Sequence, residues 1–171
     1  MSSTLHQRLL AAAALDRADA QMLVARALTL RQAARGGSAS NALRGKHIAV
    51  LCANPESVSA RDFDAAARTL GARVSRIEAV ADWMRDDDTP ETARLLTRLY
   101  DAIDCEEVPH DVALRLQQRV DVPVFDGLAR ADHPLTQLLP LLSTQAAGAG
   151  TPTDAADRRL LVQAVLVESL V

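Results

Sequence analysis

Aromatic residues make up only 2% of this 171-residue chain: two Phe, one Tyr and one Trp. Sandwich and barrel cores lean on aromatic and β-branched side chains, so a core left to Leu, Val, Ile and Ala excludes all-β architectures and points to helices packed on a small sheet. Cysteine is equally scarce. Cys52 and Cys105 are too few and too far apart for a disulfide scaffold or a Cys-based zinc site, and small buried apolar side chains are expected at both positions. His6, His47, His110 and His133 share no metal-ligand spacing, so no metal and no cofactor are expected. Neither sign of charge dominates: 19 Lys and Arg against 22 Asp and Glu give a net charge of -3, with no general attraction for nucleic acid or anionic lipid. Apolar runs of the roughly 20 residues that cross a bilayer are also missing. The run Leu160–Val171 is too short and carries Gln163 and Glu168, and the run Leu9–Leu15 has only Arg8 as a basic flank before the charged stretch after Asp16. No membrane partner, and a cytoplasmic location, are the expectation.

Hydrophobic residues make up 49% and charged residues 24%, a balance that supports one globular domain. From Asp16 to Arg35, Met22, Leu23, Ala27, Leu30 and Ala34 recur at helical spacing, and Gly36-Gly37 closes the helix. Lys46–Cys52 reads as a strand buried on both faces, stopped by Asn54-Pro55. A helix follows over Ala60–Leu70, then a strand over Arg73–Glu78 and an acidic loop at Asp86-Asp87-Asp88. Thr89-Pro90-Glu91 has the form of an N-cap followed by Pro in the first turn, opening a helix over Glu91–Tyr100. The remaining expectations are a strand over Asp101–Cys105, a helix over Pro109–Arg119, a strand over Val122–Phe125 and a helix over Pro134–Leu142. Residues 144–153, rich in Ala, Gly and Thr, have linker composition. Asp154–Val171 reads as a final helix with Leu160, Leu161, Ala164 and Val167 on one side. Strands alternating with helices imply a single three-layer α/β domain: a four-stranded parallel sheet flanked by helices, without internal repeats. Ligands of such sheets bind outside the carboxyl ends of the strands, which directs attention to the loops after Cys52, Glu78, Cys105 and Phe125.

Those loops, and the order of the segments around them, resemble the aspartate and ornithine carbamoyltransferase family, in its N-terminal carbamoyl-phosphate-binding domain, with the ornithine branch closer. The similar pieces are Leu43-Arg-Gly-Lys46, Phe63-Asp-Ala-Ala-Ala67 ending in Leu70-Gly71, and Glu91-Thr-Ala-Arg-Leu-Leu96 through Tyr100-Asp-Ala-Ile103. Val122-Pro-Val-Phe-Asp-Gly-Leu128 and His133-Pro134 complete the set. The resemblance covers about residues 16–143, and residues 156–167 are similar to the helix that ends family members after their second domain. It implies a core over 16–143, a linker over 144–153 in place of the amino-acid-binding domain, and a returning helix over 154–171. Without that helix an apolar groove would face water, at a cost of about 25 cal/mol per Å².

The resemblance also implies site residues. The family's phosphate loop, Ser-Thr-Arg-Thr, falls on Glu56, Ser57, Val58 and Ser59, so two hydroxyls survive while Val58 stands where the arginine belongs. A shifted loop could bring Arg61 in, but Arg61 would then sit inside the following helix. The bland reading of Ser57 and Ser59, a solvated loop and an N-cap, is favoured. The second phosphate arginine falls on Glu106, which reverses the charge, and the basic loop from a neighbouring subunit falls on Asp86–Asp88. Two charge-assisted contacts are worth about 3–6 kcal/mol, so carbamoyl phosphate is a poor ligand for this set. His133-Pro134 matches the start of His-Pro-x-Gln, with Thr136 at the glutamine position and Gln137 one residue late. His133 is either a carbonyl polariser or a capping loop residue, the latter favoured.

The expected function is therefore that of a degenerate, non-catalytic carbamoyltransferase-like subunit with a structural or regulatory role. A carbamoyltransferase active only with a full-length partner chain, and a small-metabolite sensor using the altered pocket, are the alternatives. The resemblance implies a homo-oligomer, a trimer.

Overall fold

The computed structural model describes residues 5–10, 15–37, 40–78, 89–145 and 154–171. The chain runs α1 (Leu5–Leu10), α2 (Arg17–Arg35), β1 (His47–Cys52), α3 (Val58–Thr69), β2 (Arg73–Glu78), α4 (Thr89–Leu99), β3 (Ala102–Glu106), α5 (His110–Gln117) and β4 (Val124–Phe125). A 3-10 turn (Pro134–Leu138), α6 (Leu139–Gln145) and α7 (Asp154–Leu170) complete it. All four strands are parallel, in the order β2-β1-β3-β4. The expected α/β sheet is thus present, with small corrections at its ends. Glu106 lies within β3 instead of following it, and β4 is only two residues long. The Pro134 helix divides into a 3-10 turn and α6, and Thr89 lies inside α4 rather than before it. The helix α1 was not expected. Leu5, Leu9 and Leu10 bury its apolar side, and the Arg8 guanidinium donates to Asp19 of α2 at 2.8 Å. The acidic stretch Asp86–Asp88 lies outside the described residues, as does most of the expected linker.

Parallel strands buried on both faces need an apolar residue at nearly every position, and β1 meets this with Ile48, Ala49, Val50, Leu51 and Cys52 all buried. Ile48, Val50 and Cys52 face α2, α3 and α7, while Ala49 and Leu51 join Ala93, Leu96, Ala113 and Leu116 on the opposite face. Both cysteines are free and buried, as small apolar residues would be.

The final helix departs from the one-sided pattern expected of it. All seven residues from Leu161 to Val167 are buried, because α7 is surrounded by α1, α2, α3, α6 and the 3-10 turn. Polar ties fix its register. Arg31 pairs with Asp157, Arg159 with Asp62 and Arg26 with Glu168, and the Gln163 side-chain amide donates to the Ala66 carbonyl at 3.2 Å.

Candidate functional site

In the order β2-β1-β3-β4, the chain leaves β1 in one direction to reach β2 and returns to the other side for β3. The topological switch point therefore lies between the carboxyl ends of β1 and β3, where an open parallel sheet leaves a crevice for a ligand. Cys52 ends β1 there, with Glu78 of β2 and Glu106 of β3 beside it in register. The loop 53–57 and the start of α3 lie above the first of these ends, and the turn after β4 lies above the second.

The loop after β1 is shaped by its own side chains. Asn54 accepts from the Glu56 amide at 2.9 Å, and Ser57 is the N-cap of α3, its hydroxyl accepting from the Ala60 amide at 3.3 Å. Ser57 and Ser59 hydroxyls approach to 3.4 Å. Val58 points into solvent, 75% exposed. Arg61, in the first turn of α3, folds back on Glu56, whose other oxygen lies 3.3 Å from Arg76. Both guanidiniums are thereby drawn to a carboxylate of the loop itself, and they hold Glu56 below the ordinary carboxylate range. Helix α3 is an ordinary capped helix whose nearby cations already have an anion.

At the end of β3 the charge is negative. Glu106 is completely buried, its Oε1 accepting from the Ala129 amide at 3.0 Å, with Ser59 facing it from α3. Asp104, two residues earlier on the same face of β3, is also completely buried and accepts from the Leu128 amide at 3.2 Å. Burial pushes both carboxyls up, Asp104 the further. Glu107, the next residue, holds a left-handed conformation with φ 61, a strained setting for a side chain with a Cβ. Burial, then the carboxylates of Glu107, Glu106 and Asp104, push the Cys52 thiol up to about 11 against the pull of Arg76.

His133 caps the 3-10 turn, as the bland reading expects. The Leu135 amide donates to its Nδ1 at 3.2 Å, which leaves Nε2 to carry the ring proton, and burial pushes the imidazole down to about 4. It is therefore a neutral N–H donor at physiological pH. The Thr136 hydroxyl donates to the His133 carbonyl at 2.8 Å, bracing the turn, while Gln137 is exposed.

Ser57 and Ser59 lie side by side at the start of α3, with Ser59 facing Glu106, and His133 caps the 3-10 turn. Asp104, Arg130 and the His110–Asp126 pair, whose ring Nδ1 and carboxylate lie 2.6 Å apart, were missed by sequence reasoning. One available signal was the alternation of Asp104 and Glu106 in an otherwise apolar strand. Among the described residues, no three His, Cys, Asp or Glu side chains are grouped to hold a metal ion. Nor is any described helix long and apolar enough to cross a membrane.

Residues 7–146 match the family model for aspartate/ornithine carbamoyltransferase, carbamoyl-P binding domain. An ornithine carbamoyltransferase of Bradyrhizobium diazoefficiens is 35% identical over 104 residues, 60% of this chain and 34% of that protein. One from Actinobacillus pleuropneumoniae is 31% identical over 115 residues, 67% of this chain and again 34% of the relative. The chain thus spans about a third of the length of the curated relatives it matches. Among solved structures, ornithine carbamoyltransferase from Pyrococcus furiosus superposes with a TM-score of 0.63 at 24% identity, covering 74% of this chain and 41% of that one. Aspartate transcarbamoylase from Trypanosoma cruzi, in complex with phosphate, gives 0.62 at 23%, covering 80% and 44%. These two likenesses are of fold. With the family model matching most of its length, the chain belongs to the aspartate/ornithine carbamoyltransferase family, through the carbamoyl-P binding domain.

Proposed function

We propose that this domain is a non-catalytic member of its family, serving as a structural or regulatory subunit. The observation that carries this reading is Glu106, a fully buried carboxyl beside Asp104 at the switch point, where the family resemblance calls for a phosphate-binding arginine. Exposed Val58 stands at the other arginine position, and Arg61 and Arg76 are drawn to Glu56. A dianion entering the crevice would meet buried carboxyls and already-engaged cations, and Coulomb repulsion at short range in a poorly hydrated site is costly. In this reading residues 144–153 stand in place of the amino-acid-binding domain, and α7 closes the groove that domain would border. The subunit assembles as a homo-oligomer, a trimer, through the domain it retains.

The direct test is turnover by the purified chain given carbamoyl phosphate with ornithine or with aspartate. No citrulline and no carbamoylaspartate are expected, and measurable product refutes the reading. A second reading, activity only beside a full-length partner chain, is favoured by one feature: His133 keeps a neutral imidazole with its ring proton on Nε2. Mixing the chain with a full-length ornithine carbamoyltransferase separates the two, because only the second predicts a rise in citrulline formation above that of the partner alone.

A further inference from the structure

Each of Asp104 and Glu106 spends one carboxyl oxygen on the turn that follows β4. Asp104 Oδ1 takes the Leu128 amide and Glu106 Oε1 takes the Ala129 amide. The second oxygens, Asp104 Oδ2 and Glu106 Oε2, are buried and have no hydrogen-bond partner among the described residues. A buried acceptor without a donor is costly, and two such acceptors on adjacent carboxylates would also repel each other.

The groups around the pair favour the charge on Glu106 but leave both second oxygens without a donor. From the loop after β4, Asp126 adds like charge at Asp104. From the turn itself, Arg130 faces Glu106, but its guanidinium donates to Asp132 at 3.0 and 2.7 Å. From α3, Ser59 faces the Glu106 carboxyl and favours its charged form, yet Oε2 itself has no hydrogen-bond partner among the described residues. From β1, the Cys52 thiol is directed to the Val50 and Ile77 carbonyls, and Cys105 on β3 is a buried thiol kept protonated by its surroundings. Neither acid forms an ion pair among the described residues. One proton satisfies both orphan oxygens and removes the repulsion.

We propose that Asp104 and Glu106 share a single proton between Oδ2 and Oε2, and that this acid pair is a pH-dependent latch fastening the turn 127–130, and with it His133, to the carboxyl edge of the sheet. Asp104 carries the proton and its O–H donates to the Glu106 carboxylate. Asp104 is the group that burial and its neighbour's charge disfavour most as an anion, while Glu106 is helped to keep its charge by the Ala129 amide, Ser59 and Arg130. When the proton leaves to solvent, two anions face each other and separate. The acceptors of the Leu128 and Ala129 amides move with them. The turn's remaining backbone hydrogen bonds are internal to the loop, Arg130 N to the Gly127 carbonyl at 3.0 Å and His133 N to the Arg130 carbonyl at 3.2 Å, while Leu128 and Ala129 keep their side chains in the core, so loss of the two acceptors loosens the turn's backbone around packed side chains. The latch operates whether or not the domain turns over substrate.

The test reads carboxyl carbon-13 shifts of Asp104 and Glu106, with amide exchange at Leu128 and Ala129, from mildly acidic to alkaline pH. One protonated carboxyl at neutral pH is expected. Its loss at higher pH should speed exchange at the two amides about tenfold beyond the ordinary base-catalysed rise seen for β1 amides. Asp104→Asn supplies a donor that never ionises and keeps an acceptor for Leu128, so it should abolish that extra step. Should that variant not fold, Glu106→Gln supplies the same donor from the other side. Two ionised carboxyls at neutral pH, or an unchanged step in the folded variant, overturns the proposal.

Discussion

Arg31 of α2 and Asp157 of α7 form a buried ion pair across 126 positions of sequence, Nη2 to Oδ1 at 2.5 Å. The Ser143 hydroxyl reaches the other Asp157 oxygen at 3.5 Å, so α2, α6 and α7 meet at one carboxylate. The apolar length of α7 supplies most of its attachment, and this pair fixes which turn of it faces α2.

Asp157→Ala should therefore cost about 3–5 kcal/mol, because it leaves a guanidinium buried without a counter-ion. Replacing both partners, Arg31→Met with Asp157→Leu, should recover most of that loss. Urea denaturation of the two variants checks both statements, and a loss below about 1 kcal/mol for Asp157→Ala, typical of surface pairs, would mean the pair is irrelevant to the docking of α7.

His133 makes stability depend on acid. Its pKa in the folded chain, about 4, lies below the ordinary 6.5, so the unfolded chain binds the proton more readily. Stability from this group is fully present above 6.5 and is lost as pH falls toward 4, by about 3 kcal/mol over the window. The Asp104–Glu106 pair acts in the opposite sense, its stabilisation being greatest in acid, so the His133 effect is read as the difference between the parent and His133→Asn. That variant retains a capping side chain and should lack the slope between 6.5 and 4. Thermal melts across the range settle it, with parallel curves counting against the assignment.

Neither cysteine should behave as a reactive thiol. Cys52 is pushed up to about 11, and burial with adjacent Asp104 pushes Cys105 up as well, so little thiolate exists at neutral pH. Labelling with a disulfide reagent should be slow in the native chain and release two equivalents only on unfolding. Rapid native labelling of either position would contradict the packing at the carboxyl edge of the sheet.

Restoring an anion site requires removing charge as well as adding it. Val58→Arg with Glu106→Arg places the second guanidinium against the Asp104 carboxyl, which then competes with carbamoyl phosphate for it. Adding Asp104→Asn preserves an acceptor for the Leu128 amide and frees that arginine. Calorimetry should find carbamoyl-phosphate binding stronger in the triple variant than in the double one, with up to about 3–6 kcal/mol recovered from two charge-assisted contacts. Equal affinities would show that Asp104 does not hold the introduced arginine. In the non-catalytic reading proposed above, turnover should remain absent, because no amine would be oriented beside the carbamoyl group.

Most of the fold was legible because its elements are strongly patterned. The unbroken apolar run through Cys52 marks a doubly covered strand, and the capped, periodic segments of α2 and α3 mark helices whose apolar sides must be covered. Six-residue α1 lacked the length to declare itself, since one and a half turns carry little periodicity. Glu106 reads in sequence as the residue after a strand, because a charge ends most apolar runs. It extends the strand because the Ala129 amide gives its carboxyl a partner inside the fold.

The sequence by itself determined the order of elements from α2 onward, the parallel sheet and the absence of arginine from positions 58 and 106, all properties of local pattern and residue type. Tertiary structure decided how the remaining charges are used. Arg61 and Arg76 are drawn to Glu56, Asp104 and Glu106 turn their orphan oxygens into the interior, and Arg31 finds Asp157 at the opposite end of the chain. The physical reason is that a charge's partner is set by distance and burial, and residues 126 apart in sequence acquire both only when the helices that carry them pack.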